Sequence, residues 1–239
     1  MKFSCLRFVI IAFAAVLSVP ISAVATTIDF STLGPTPLGG DTGSSTYVDP
    51  GTGLTVSGLW KDDATWDPAN LYVRNQTNDH GFGICSPADD PPCPGPAGGG
   101  DFNELDNDDA SELIRLTLPA GYEWVSVQLS SLDDNSGASP EFGQLWASPD
   151  ANFDSLATEV IWQFMGGGDI ELLIEIPASA ANAPYLFFQP FDWSPGGLNT
   201  NNDFLVYQAT IEQTRVLEPG SIGLLGIGLL ALGRLRRKR

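Results

Sequence analysis

Between residues 26 and 213 no long stretch of this chain repeats apolar residues at helical spacing. Short alternating or apolar runs recur instead, separated by clusters of Gly, Pro, Asn and Asp, and that combination is the signature of β-strands joined by turns. The 26 glycines and 18 prolines of the 239-residue chain leave little room for anything longer. Strands are expected over residues 27–30, 54–60, 71–74, 112–118, 123–132, 143–147, 159–164, 170–176, 185–190 and 204–212. Alternation is clearest in Leu113-Ile114-Arg115-Leu116, in Trp124-Val125-Ser126-Val127 and in Leu205-Val206-Tyr207-Gln208, each able to bury one face and wet the other. Ten short strands in about 190 residues predict an all-β fold, a jelly-roll-like two-sheet sandwich. Residues 34–53 and 75–107 are expected as long loops, and residues 150–157 and 178–183 are left open between helical turn and loop.

The two ends have a different character. Lys2 and Arg7 precede the apolar run 8–19, and Ala23-Val24-Ala25 supplies small residues at a cleavage point, so residues 1–25 read as a signal peptide that takes Cys5 with it. At the other end Val216-Leu217-Glu218-Pro219 precedes a nearly uncharged apolar stretch rich in glycine, and then Arg234, Arg236, Arg237, Lys238 and Arg239. Such a stretch is at the short limit for a membrane helix, and the terminal cations would hold the chain end on the cytoplasmic side.

This order resembles the PEP-CTERM sorting signal of exported Gram-negative bacterial proteins, with Leu217 standing where the first proline usually lies and Glu218 and Pro219 matching. The resemblance implies that residues 214–239 are a sorting tail whose single membrane helix is handed to a membrane-embedded processing enzyme of exosortase type, with Val216 to Pro219 as its recognition point. It places the protein transiently in the inner membrane and finally at the cell surface or in the extracellular polysaccharide matrix. An uncleaved tail, tethering a periplasmic domain, is the alternative.

Charge narrows the partners. Residues 26–215 hold 4 cations against 28 acids, a net charge of −24. Such a surface repels nucleic acid and anionic membranes, leaving divalent cations and neutral glycans. Cys85 and Cys93 remain after export, and an even pair across a Pro-rich loop outside the cytoplasm reads as a disulfide worth about 2 to 3 kcal/mol. Metal ligation by these cysteines would need more partners than His80 alone can supply.

The internal motif Gly81-Phe82-Gly83-Ile84-Cys85, then Asn103-Glu104-Leu105-Asp106-Asn107, then Glu112-Leu113-Ile114 is similar to a pattern in the sandwich domains of many PEP-CTERM proteins, and Leu129-Ser130-Ser131-Leu132-Asp133 fits its continuation. The resemblance implies an exported β-sandwich and no established activity. Read from the residues, Asp101, Asn103, Asp106, Asn107 and Glu112 place many oxygen ligands before a strand, as a structural Ca2+ ion needs, although Leu105 and Asp106 break the EF-hand pattern. A solvated acidic loop that keeps a sheet edge soluble is an equal reading.

Trp60, Trp66 and Trp193 lie in loop-like settings beside Asp residues, where an exposed indole face can stack on a sugar. Burial in the core is the competing reading for them, and the expected place of Trp124, Trp146 and Trp162. His80, the one histidine, has no nucleophile motif near it. The sequence therefore predicts a non-catalytic sandwich, structural or glycan-binding, with a secreted polysaccharide-acting enzyme as the alternative.

Overall fold

Strand-forming runs fill the computed structural model, which describes residues 24–61, 65–76, 79–87, 104–106, 111–132, 142–153, 159–165, 170–190 and 202–214. They form two antiparallel sheets packed as a sandwich. Residues Ala25–Glu212 make one compact unit. No helix among the described residues is long and apolar enough to cross a membrane.

The strands are β1 (Ala25–Asp29), β2 (Gly39–Asp41), β3 (Thr46–Val48), β4 (Thr55–Lys61), β5 (Asp67–Pro68), β6 (Asn70–Asn75), β7 (His80–Cys85), β8 (Ser111–Thr117), β9 (Tyr122–Leu132), β10 (Phe142–Ser148), β11 (Glu159–Met165), β12 (Ile170–Glu175), β13 (Tyr185–Pro190) and β14 (Leu205–Gln213). One sheet runs β12-β9-β14-β7-β6-β2, with β1 also on β14; the other runs β11-β10-β13-β8-β4-β3, with β5 on β4. From β7 onward the chain crosses repeatedly between the sheets, so neighbours in sequence are seldom neighbours in a sheet.

Alternation decides which side of each strand enters the core. Ile114 and Leu116 of β8, Leu186 and Phe188 of β13, and Val127 and Leu129 of β9 meet Phe30, Phe82, Trp124 and Phe204 between the sheets. Fully burying each of these side chains contributes about 1.5 to 3 kcal/mol. The odd residues of β8 and β13 face outward, where Leu113, Phe187 and Trp146 form a second, smaller apolar cluster.

All ten expected strands are present, but the two expected long loops are corrected. Residues 34–53 contain β2 and β3, and residues 75–107 contain β7. For β2 and β7 glycine is the reason. Gly81 has φ +134°, and a Cβ there would lie 2.5 Å from the Val206 carbonyl oxygen; at Gly39, φ +104°, a Cβ would lie 1.9 Å from that of Val73. These residues read as turn punctuation in sequence, yet they permit backbone approaches inside a sheet. Residues 178–183, left open by the sequence, form turns. The segment 154–158 and both chain ends before residue 24 and after residue 214 lie outside the described residues, and with them the expected signal peptide and tail.

Candidate functional site

The internal sequence motif assembles around a buried guanidinium. Arg74, on β6, is 5% exposed, and its cross-strand neighbours are Gly39 of β2 and Gly81 of β7. Its Nη1 donates to Oε1 of the buried Glu104 and its Nη2 to Asp79 Oδ2 at 3.2 Å. Ser131 Oγ approaches the same two carboxylates, at 2.9 Å from Glu104 and 3.2 Å from Asp79. Ser131 has φ 58° and sits where the β9–β12 register shifts. A bulge of this kind re-aims side chains, so two consecutive serines reach adjacent residues of one segment: Ser131 the Asp79 carboxylate, and Ser130 the backbone N–H and carbonyl of His80. His80 in turn has Nε2 at 2.9 Å from Glu171 and Nδ1 at 3.2 Å from the Gln76 carbonyl, its ring edge-on to Tyr207. Each ring nitrogen therefore faces an acceptor oxygen.

Leu105 and Phe204 exchange backbone hydrogen bonds in an isolated antiparallel bridge. That register sets Asp106 across from Asp203, both buried. Glu112, 1% exposed, accepts the Asp106 N–H at 3.1 Å through Oε2. Two members of the expected calcium set thus meet, while Asp101, Asn103 and Asn107 lie outside the described residues. Among the described residues no three His, Cys, Asp or Glu side chains gather as a metal ion would need. Cys85 ends β7 and is half-buried; Cys93 lies outside the described residues, as do Trp193, Val216, Leu217, Glu218, Pro219, Arg234, Arg236, Arg237, Lys238 and Arg239.

Of the three tryptophans expected to serve a sugar, Trp60 and Trp66 are described, and both are half-buried. Trp60 is half-buried against the main core, and Trp66 sits on the outer cluster, edge-on to Phe153 at 5.8 Å with Lys61 Nζ 5.7 Å from its ring centre. Trp124 and Trp146 are buried as expected, but Trp162 is 46% exposed, because β11 is an edge strand and has a neighbour on only one side.

A cleft of about 440 Å³ lies elsewhere, lined by β1, the 3-10 turn Ser31–Leu33, the turn after β3, and Tyr122. Asp29 and Asp49 both line it, each fixed through one oxygen. Asp29 Oδ1 accepts from the N–H and hydroxyl of Ser31 at 2.9 and 2.7 Å. Asp49 Oδ2 accepts from the N–H and hydroxyl of Thr52, both at 2.7 Å. Asp49 Oδ1 faces the Tyr47 hydroxyl at 3.5 Å. Burial first, and then the charge and hydrogen bond of Asp49, push the Tyr47 phenol above its ordinary value, so it stays a neutral hydroxyl. Half-buried Tyr47 and Tyr122, with Ile28, Leu33 and four threonines, complete the lining. No motif marked this cleft in sequence, since its residues come from three distant stretches.

No protein-family model matches the chain, and no curated protein sequence matches it. Among solved structures it is similar to the K1 cleaved adhesin domain of Lys-gingipain from Porphyromonas gingivalis W83, with a TM-score of 0.32 and 12% identity over 81% of this chain and 99% of that one.

Removing one partner of a buried ion pair leaves the other uncompensated. Arg74→Met is expected to destabilise the protein by about 3 to 5 kcal/mol, and the pair Arg74→Met with Glu104→Leu by clearly less than the sum of the single changes. Urea unfolding of the four proteins in the cycle measures this, and additive losses would remove the network from the account.

Proposed function

We propose that this is an exported bacterial surface or matrix protein, sorted through its C-terminal tail, whose jelly-roll-like sandwich is non-catalytic and binds extracellular polysaccharide. The cleft carries the binding half of this reading. Its combination of phenol rings, threonine hydroxyls and oriented carboxylates suits a polyhydroxylated ligand, which offers both ring faces and hydroxyl donors. The deeply buried charges, in contrast, are committed to holding strands together: Arg74 to Glu104 and Asp79, Glu112 to the Asp106 amide.

The sorting half rests on the tail. Val216-Leu217-Glu218-Pro219 before an apolar stretch and five terminal cations fits presentation to an exosortase-type enzyme in the inner membrane. Residues 1–25 as a cleaved signal peptide and a Cys85–Cys93 disulfide belong to the same export route. Calcium is the structural cofactor of this reading, held by Asp101, Asn103, Asp106, Asn107 and Glu112. Its support is that two of the five, Asp106 and Glu112, come together at the foot of β8, both buried, with Glu112 accepting the Asp106 N–H.

Three outcomes are expected. Incubated with the polysaccharide of its own cells, the protein is retained on it and leaves its chain length unchanged; shortening of the polymer would make the protein an enzyme. Joint Glu218→Ala and Pro219→Ala replacement leaves the protein in the inner membrane, as fractionation reads, and normal release of that variant rules out the sorting role. Chelation of calcium lowers the melting temperature by about 5 °C, the size expected for loss of a ligand bound well above its Kd; an unchanged melt removes the metal.

A further inference from the structure

We infer that the cleft selects uncharged sugar rings, with Asp29 and Asp49 as a pair of acceptors for ring hydroxyls and Tyr47 and Tyr122 as the walls against the ring. This rests on the polysaccharide reading above and names what kind of glycan the site takes and which atoms distinguish it.

Each carboxylate is held in place by its own turn, which consumes one oxygen and leaves the other. Asp29 Oδ1 closes onto Ser31, and Oδ2 has no hydrogen bond among the described residues. Asp49 Oδ2 closes onto Thr52, and Oδ1 has only the long 3.5 Å approach of the Tyr47 hydroxyl. An acceptor fixed before its ligand arrives loses little entropy on binding, so the two remaining oxygens are prepared for hydroxyl donors. Charge-assisted hydrogen bonds of this kind are the stronger ones.

The lining sets the sign of the ligand. It holds two carboxylates and no Lys, Arg or His, within a body of net charge −24. A uronate, sulfate or phosphate on the sugar would meet uncompensated repulsion at short range. A bare divalent ion is a poor alternative, because calcium takes six to eight oxygens and each aspartate here is already half committed. Ile28, Leu33 and the two tyrosines set apolar surface beside the threonine hydroxyls and carboxylates of the lining. That balance matches a pyranose ring, with its C–H faces and hydroxyl rim. The volume of about 440 Å³ lies in the range of small-ligand sites.

The test uses the full chain in a detergent without a sugar headgroup, titrated calorimetrically with neutral gluco-, galacto- and manno-oligosaccharides and with an oligouronate of equal length. A neutral oligosaccharide is expected to bind and the oligouronate to bind at least about ten-fold more weakly. Asp29→Asn and Asp49→Asn keep an oxygen for Ser31 and Thr52 but place an NH2 where the free acceptor was. Each should keep the melting temperature and weaken the neutral sugar by about ten-fold. Equal binding of the oligouronate, or full affinity in both variants, overturns this inference while leaving glycan binding standing at another site. Binding of no oligosaccharide overturns both readings.

Discussion

The buried guanidinium of Arg74 is the constraint on which one whole corner of the sandwich depends. A cation withdrawn from water on β6 requires acceptors, and they come from two separate stretches, Asp79 before β7 and Glu104 in the segment ahead of β8, with the Ser131 hydroxyl at the β9 bulge donating to both carboxylates. Meeting that requirement draws the 104–106 segment against β7, where the Ile84 N–H approaches the Glu104 carbonyl at 3.4 Å and Leu105 pairs with Phe204. Leu105 and Phe204 then fall into the core at full burial. One polar pairing thus places apolar side chains that alternation alone would not have directed, and an arrangement with Glu104 elsewhere would strand both charges. Gly39 and Gly81, on either side of Arg74 in the sheet, are required by the same geometry.

This explains the internal motif in physical terms. Its Gly81 is a site where the β7 and β14 backbones nearly touch, its Glu104 is the partner of Arg74, its Asp106 and Glu112 brace the foot of β8, and its serines close the network from β9. The motif reads as a folding device at the meeting of four segments. Sequence similarity could expose the pattern, but not the Arg74 that answers it, because a single arginine in Leu71-Tyr72-Val73-Arg74 looks like the solvated residue of an ordinary strand.

Strands were legible wherever a run of β-branched and aromatic residues was long enough to show its period, as in β8, β9 and β14. They were illegible where glycine served the sheet: β2 is Gly-Gly-Asp, and β7 has glycine at two of six positions. Tryptophan burial was legible only in part, since Trp124 and Trp146 are buried as their strand patterns imply while Trp162, in an equally clean pattern, is exposed. Exposure is settled by a strand's rank in its sheet, which local pattern does not encode. The cleft was hidden for a related reason. Asp29 with Ser31 and Asp49 with Thr52 each read as an ordinary turn-forming pair, and only the packing of sheet edges brings those turns together with Tyr122.

Charge distribution bears on how such a body can recognise anything. Three of its four cations lie among the described residues, and all three are used internally. Arg74 holds the ion network, Arg115 donates to the Ala151 carbonyl at 2.8 Å and lies 6.0 Å from the Tyr185 ring centre, and Lys61 covers Trp66. With 28 acids against 4 cations, residues 26–215 repel anions over a Debye length and offer an uncharged polymer no long-range attraction. Affinity for a neutral glycan must then come from short-range contacts alone, from hydroxyls meeting fixed acceptors and ring faces meeting aromatic walls. Such contacts are weak singly, and a repeating polymer compensates by presenting many equivalent residues to one site. A protein held in a polysaccharide matrix by that means would stay bound on average while exchanging along the chain, which suits a matrix component better than a tight one-to-one complex would.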